Sequence, residues 1–330
     1  MRSRRQFLIR GVSWTAGAIT TGYIGFRVAA HNGWIYVTRN ARGFQRGAEP
    51  TGEIEATSIN FLVVGDTGKP TTERTRVVSA MRAHVKKHRC DAAVLLGDNF
   101  YENGVESVDD PRFDEDFEDL FDAKSFPIPF YVALGNHDCN GNAEAQVEYT
   151  AKNKRWQMPA RFYMESIRRS GIAADLFVTD TNLLLESNEA CDDQLKWLKD
   201  SLHASDARWK IVIGHHPVLT GGRHHASPEV AAALGPILDE CGVDFYLSGH
   251  DHDLQLLDSG RGWRQIVSGA GSKLRSTAWI DETLFAQACP GFTSMTLSRD
   301  TAYLSFYSST SRLVTTSFSA STHHLAMPTT

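Results

Sequence analysis

Five short apolar runs constrain this 330-residue chain more than any other feature, because each closes on glycine followed by a carboxylate, an amide or an imidazole. They read INFLVVGD (Ile59 to Asp66), AAVLLGD (Ala92 to Asp98), PFYVALGN (Pro129 to Asn136), KIVIGHH (Lys210 to His216) and DFYLSGH (Asp244 to His250). Runs of this kind, bounded by Gly-polar turns, are buried strands covered on both faces. Polar residues at the C-terminal ends of such strands line a crevice along one edge of a sheet. Helical candidates lie between the runs. In SPEVAAALGPILDECG, Ser227 is placed to cap, Pro228 suits the first turn and Gly242 stops the helix. In DDQLKWLKDSL (Asp192 to Leu202), Leu195, Leu198 and Leu202 share one side. Beyond Leu254 the pattern becomes strand-like, so the expected fold is an α/β chain that finishes in a β-rich half.

The residues at the strand ends carry the chemistry. No GxGxxG follows the first strand and no GxxxxGK[ST] occurs, which argues against dinucleotide and P-loop sites. The five ends supply Asp66; Asp98 with Tyr101; Asn136 with His137 and Asp138; His215 with His216; and His250 with His252. One such block alone marks a turn or a hydrogen-bonded core histidine. Five in succession make a ligand inventory. Oxygen and imidazole donors without thiolate select iron, zinc or manganese. Two such ions about 3.5–4 Å apart, joined by a carboxylate, form the clamp for in-line displacement at phosphorus.

Composition narrows the setting. The net charge is -5 and no basic stripe is present, which argues against nucleic acid as a partner. The first 30 residues hold five arginines and no acid, so the remainder is more acidic still, with 29 basic against 39 acidic residues. Arg4 and Arg5, within SRRQFL, precede a 16-residue weakly apolar segment (Gly11 to Phe26) and resemble a twin-arginine export signal. That segment is shorter than the about 20 residues of a spanning helix. Residues 1–30 are therefore expected to be a signal peptide with a cleavage site at Val28-Ala29-Ala30, or else an uncleaved membrane anchor. Residues 31–58 read as a linker or edge element, 59–320 as one catalytic domain and 321–330 as a tail. The five cysteines show no ligand spacing and read as isolated thiols.

The ordered motifs GDTG, GDNFY, GNHD, GHH and GHDH resemble those of the calcineurin-like metallophosphoesterases. The tyrosine of GDNFY narrows the resemblance to the purple acid phosphatases, in their small tartrate-resistant branch. The resemblance extends from about Ile59 to Gly271 and includes KRWQMPARFY and QLKWLK. It implies a four-layer α-β-β-α sandwich, with two mixed sheets flanked by helices. It also implies Fe(III) held by Asp66, Tyr101 and His252, a divalent Fe, Zn or Mn held by Asn136, His215 and His250, and Asp98 between them. His137 and His224 correspond to the family's phosphate-contacting, proton-donating histidines, and spacing favours His224 over His225. His216 is read as pocket lining, Asp138 as orienting the neighbouring histidine, and Asp251 and Asp253 as turn-formers.

The activity implied is hydrolysis of phosphomonoesters, with phosphoanhydrides as a further substrate class, by a metal-bound hydroxide, in an exported monomer whose partners are small phosphorylated substrates and the twin-arginine export machinery. The location implied is the periplasm or the medium, or the periplasmic face of the inner membrane if the leader is kept. A phosphodiesterase or nucleotide-hydrolysing relative and a non-catalytic metal-binding scaffold are the rival readings. Thr67 departs from the family pattern, standing where the motif commonly carries tryptophan.

Overall fold

All six positions of Ile59–Val64 are buried, so this strand has no polar face and must be covered on both sides. A computed structural model, which describes residues 26–31, 34–39, 47–186 and 188–319, shows how. Strands β1 (Phe26–His31) and β2 (Trp34–Arg39) form an antiparallel hairpin. β3 (Ile59–Val64), β4 (Ala92–Leu95), β5 (Phe130–Val132) and β6 (Trp156–Gln157) run parallel in that order. β7 (Tyr163–Arg169) and β8 (Ile172–Val178) are an antiparallel pair at the edge of a second sheet, and β9 (Trp209–Ile213) and β10 (Phe245–Ser248) continue it in parallel. With β11 (Leu254–Asp258), β12 (Arg264–Ser268) and β13 (Thr283–Gln287), its order is β13-β11-β12-β10-β9-β8-β7. β14 (Gly291–Leu297), β15 (Thr301–Ser308) and β16 (Arg312–Ser319) then return to the first sheet, antiparallel to β3, giving β16-β15-β14-β3-β4-β5-β6.

Alternation along the strands explains the layering. Ile211, Ile213, Phe245 and Leu247 join a core shared with β3, β4 and β14 of the first sheet. Val212 and Tyr246, one position on, belong to a separate cluster with α5 (Glu189–Ala204) and α6 (Pro228–Glu240). On the first sheet, α2 (Thr72–Val85) contributes Val77, Val78 and Met81 to the core. Two mixed sheets thus lie between helices, as the resemblance implied. α6 starts and stops where the sequence indicates: Ser227 Oγ accepts from the Val230 N–H, and Gly242 has φ 67°. α5 begins a turn earlier than the leucine spacing indicates, because Asn188 Oδ1 accepts from the Cys191 N–H and acidic residues suit the first turn.

Residues 1–25 and 320–330 lie outside the described residues, and with them the expected leader up to its last five residues and the whole of the expected tail. The expected cleavage residues Val28 to Ala30 fall within β1, and the expected linker contains β2 and the short helix Gly52–Thr57. Among the described residues, no helix is long and apolar enough to cross a membrane. All five cysteines are free thiols.

One buried base lies far from the strand-end crevice. His84 stacks on His88 at 4.3 Å and meets Phe292 and Tyr307 edge-on. Burial, then the neighbouring His88, push its pKa down to about 3. Unfolded, the same imidazole titrates near ~6.5. Its full share of stability is therefore present above that value and is lost as pH falls toward about 3, by about 1.4 kcal/mol per unit. His84→Leu is expected to flatten the drop in melting temperature between pH 7 and pH 4.5; an unchanged drop would assign acid sensitivity to other groups.

Candidate metal centre

The parallel strands β3, β4 and β5 of one sheet and β9 and β10 of the other point their C-terminal ends at one crevice. Asp66, Asp98 and His250 sit just past those ends with φ of 60°, 54° and 66°. Non-glycine residues in this left-handed region store strain, and such strain collects at functional sites. The glycine before each polar residue is required for space. A Cβ on Gly249 would come within 2.6 Å of Asp66 Oδ2, and one on Gly135 would overlap the backbone N and Oδ1 of Asp98. Gly-polar pairs at strand ends therefore allow the loops to pack against each other's ligands.

The side chains fall into two groups joined by one carboxylate. The Tyr101 hydroxyl lies 2.7 Å from Asp98 Oδ2, 3.2 Å from Asp66 Oδ1 and 3.4 Å from His252 Nε2. On the other side, His215 Nε2 is 3.4 Å from Asp98 Oδ1, 3.2 Å from Asn136 Oδ1 and 3.3 Å from His250 Nδ1. Asp98 thus turns one oxygen toward each group. His215 is oriented by the Leu96 carbonyl, which accepts from its Nδ1 at 2.8 Å and leaves the Nε2 lone pair facing the cluster. Ligand atoms of Asp66, Asp98 and His215 lie within 4.8 Å of one another.

The electrostatics call for a cation. Burial, then the Asp98 charge, drive the Asp66 pKa well up. Burial and the two carboxylates likewise raise that of Tyr101. Burial, then neighbouring imidazoles, hold His215 and His250 neutral, and burial with Arg275 lowers His252 to about 4. Neutral imidazoles are the form that ligates. Two adjacent buried carboxylates and a phenol ionise together only against a strong local positive charge. These donors fit a pair of ions with no thiolate preference.

All nine residues singled out for metal or catalysis lie at this crevice. The His137 ring packs on Tyr101 with centroids 4.2 Å apart, its backbone N–H donates to Asp98 Oδ1 at 2.9 Å, and its Nε2 is 3.9 Å from Asp98 Oδ2. Its ring is positioned by the Glu102 carbonyl, at Nδ1, and not by Asp138 as the sequence led us to expect. The Asp138 carboxylate instead accepts from the N–H groups of Gly135, Asn99 and Phe100, at 2.8, 3.0 and 3.1 Å. It thereby ties the GDNFY and GNHD loops together. Phe100 is fully buried against Phe113 and Trp156, which pins the GDNFY loop from below and leaves Tyr101 facing the crevice.

The His224 ring lies 4.5 Å from that of His250 and 5.8 Å from that of His252; His225, exposed like His224, has φ 66°. His216 is buried, with Nδ1 2.8 Å from Thr181 Oγ1. Asp251 does more than form a turn: its carboxylate accepts from the His224 N–H at 2.9 Å and from the Thr220 hydroxyl at 2.6 Å. Sequence reasoning missed this brace, and it missed Lys273 and Arg275 beside Tyr101 and His252. No motif marks those two; their only signal is the position just after the last glycine-rich turn.

Comparison with known proteins agrees with this geometry. Residues 59–254 match the family model described as calcineurin-like phosphoesterase. Purple acid phosphatase 7 of Arabidopsis thaliana is 35% identical over 235 residues, covering 66% of this chain and 71% of the plant protein. Tartrate-resistant acid phosphatase type 5 of Oryctolagus cuniculus is 34% identical over 253 residues, covering 68% and 76%. Among solved structures, GAP50, the anchor in the inner membrane complex of Plasmodium, superposes with a TM-score of 0.72 at 26% identity, covering 80% of this chain and 89% of that one. On the match across residues 59–254 and the identity to these phosphatases, the chain belongs to the calcineurin-like phosphoesterase family and, within it, to the purple acid phosphatases.

Proposed function

We propose that this chain is an acid phosphatase for phosphomonoesters, working as a monomer with Fe(III) at Asp66, Tyr101 and His252, a divalent ion at Asn136, His215 and His250, and Asp98 shared. The observation that carries the reading is the Tyr101 hydroxyl, set within 3.4 Å of Asp66, Asp98 and His252, where a phenolate joins a hard-donor set. Ions held there supply Lewis acidity toward phosphoryl oxygens and acidify water enough to serve as a nucleophile. The chain's own groups do the rest. Asn136, His215 and His250 form the wall that faces the Tyr101 side. His137 and His224, when protonated, donate to the phosphate oxygens from opposite sides of the crevice, and His224 gives its proton to the leaving alkoxide. Asp251 and the Glu102 carbonyl hold these two histidines in place.

The expected outcome is a kcat/KM for p-nitrophenyl phosphate at least about 100-fold above that for bis-p-nitrophenyl phosphate, the spread that one or two charge-assisted contacts to a terminal phosphate supply. The reverse preference would move the chain to the phosphodiesterases. The likeness to GAP50, named as an anchor, favours a second reading as a non-catalytic scaffold. The complete donor set weighs against that, and absence of turnover on both substrates by the metal-loaded protein would support it. We also propose export by the twin-arginine route to the periplasm or beyond, on the strength of Arg4 and Arg5. Replacing both by lysine is expected to retain the protein in the cytoplasmic fraction, and unchanged fractionation would contradict the route.

A further inference from the structure

Three cations converge on the Tyr101 and His252 end of the crevice, and the chemistry above uses none of them. Lys273 Nζ lies 4.0 Å from the centroid of the Tyr101 ring. Arg275 Nε lies 3.4 Å from His252 Nδ1. Lys69 pairs with Glu102, the residue whose carbonyl holds His137. In a chain of net charge -5, three cations against one carboxylate at the mouth of the site run counter to the average.

These cations stand on anchored backbone. Along 273–276, Lys273 and Arg275 are half-buried while Leu274 and Ser276 are exposed, so the alternation of an extended segment turns both cations to the same side, toward the cluster. The segment is held at both ends. Thr71 Oγ1 donates to the Ser272 carbonyl at 2.7 Å, and the Ser272 hydroxyl donates to the Asp66 carbonyl. Thr277 bridges to Gly222, and the Ala278 N–H donates to the Gly221 carbonyl at 2.7 Å. The stretch it is tied to carries His224. The simplest alternative is that these cations offset the charges of Asp66 and Asp98. Ions held by those carboxylates remove that need, and a histidine that ligates through Nε2 carries its hydrogen on Nδ1, so Arg275 loses its acceptor. With Glu102 set against Lys69, the net positive charge of two further cations then remains at the mouth with no anion assigned to it.

We propose that Lys69, Lys273 and Arg275 form a second anion subsite, which selects substrates whose leaving group carries a further phosphate next to the one attacked. The inference rests on the phosphatase reading above. In the hydrolysis of such an anhydride, the oxygen of water forms the new P–O bond and the bridging P–O bond breaks. The electron pair goes to the departing phosphate, and the water protons pass to that phosphate and to solvent. The added negative charge on the departing group is what the subsite stabilises.

The test compares the metal-loaded full chain with a Lys69→Met/Lys273→Met double variant and a Lys69→Arg/Lys273→Arg double variant. Two readouts are taken: the ratio of kcat/KM for pyrophosphate to that for p-nitrophenyl phosphate, and the ratio of calorimetric affinities for methylenediphosphonate and orthophosphate. The methionine pair is expected to lower both ratios about ten-fold, the scale of one charge-assisted contact at a half-exposed site. The arginine pair is expected to restore them. Ratios that stay within two-fold of the starting protein would overturn the subsite, and because the affinity ratio needs no turnover it decides even if the phosphatase reading fails. Loss of p-nitrophenyl phosphate hydrolysis in the starting protein would count against that reading separately.

Discussion

Asp98→Asn is expected to lower kcat/KM on phosphomonoesters by about a thousand-fold or more, while leaving the metal-free protein at least as stable. The two halves of this prediction have different causes. Asp98 turns Oδ2 to Tyr101 and Oδ1 to His215, and an amide keeps a lone pair on only one of those sides. Whichever way the asparagine is turned, one group of ligands loses its shared oxygen. Without metal, however, Asp98 is a buried charge that pushes up the pKa of buried Asp66, so removing it relieves repulsion. Metal content and melting temperature of the metal-free variant check both halves. A variant that loses activity and stability together, before any metal is added, would mean that Asp98 serves the fold and not the reaction.

Tyr101→Phe is expected to be the most selective lesion of the site. The ring that packs on His137 and lies under Lys273 is kept, and only the oxygen near Asp66, Asp98 and His252 is removed. The fold should survive, because Phe100 and not Tyr101 carries the loop's packing against Phe113 and Trp156. Iron retained after dialysis is expected to fall by about ten-fold or more, the scale set by loss of an ordering partner at a metal site and exceeded when the ligand itself is lost. Full iron retention would show that the phenol is a bystander.

Why these residues were legible before the fold was known has a simple physical basis. A strand buried on both faces must be apolar throughout, so a Gly-Asp or Gly-His at its end stands out, and parallel strands bring such ends to the same edge. Ser227, Pro228 and Gly242 delimit α6 by local hydrogen bonding and φ alone. What escaped depends on contacts between distant segments. Spacing favoured His224 over His225, but what separates them is the brace from Asp251, 27 residues on. Proximity in sequence pairs Asp138 with His137, yet its carboxylate reaches back to Asn99 and Phe100. Lys273 and Arg275 face the site because residue 272 is tied to residues 66 and 71, and residues 277 and 278 to the 221–222 turn. The left-handed conformations of Asp66, Asp98 and His250 are equally hidden, since aspartate and histidine, though more tolerant of them than most residues, adopt them at a minority of positions and no local signal marks which.

The proposed activity depends on Tyr101 as a phenolate ligand of ferric iron, and the visible absorption spectrum of the purified protein, recorded with its iron content, tests this most directly. A broad band in the roughly 500–600 nm region, the range expected of an Fe(III)-phenolate tuned by its surroundings, is predicted for the starting protein and is predicted to vanish in Tyr101→Phe. A colourless protein that carries its full iron in the oxidised state, or a band that survives the substitution, would contradict it.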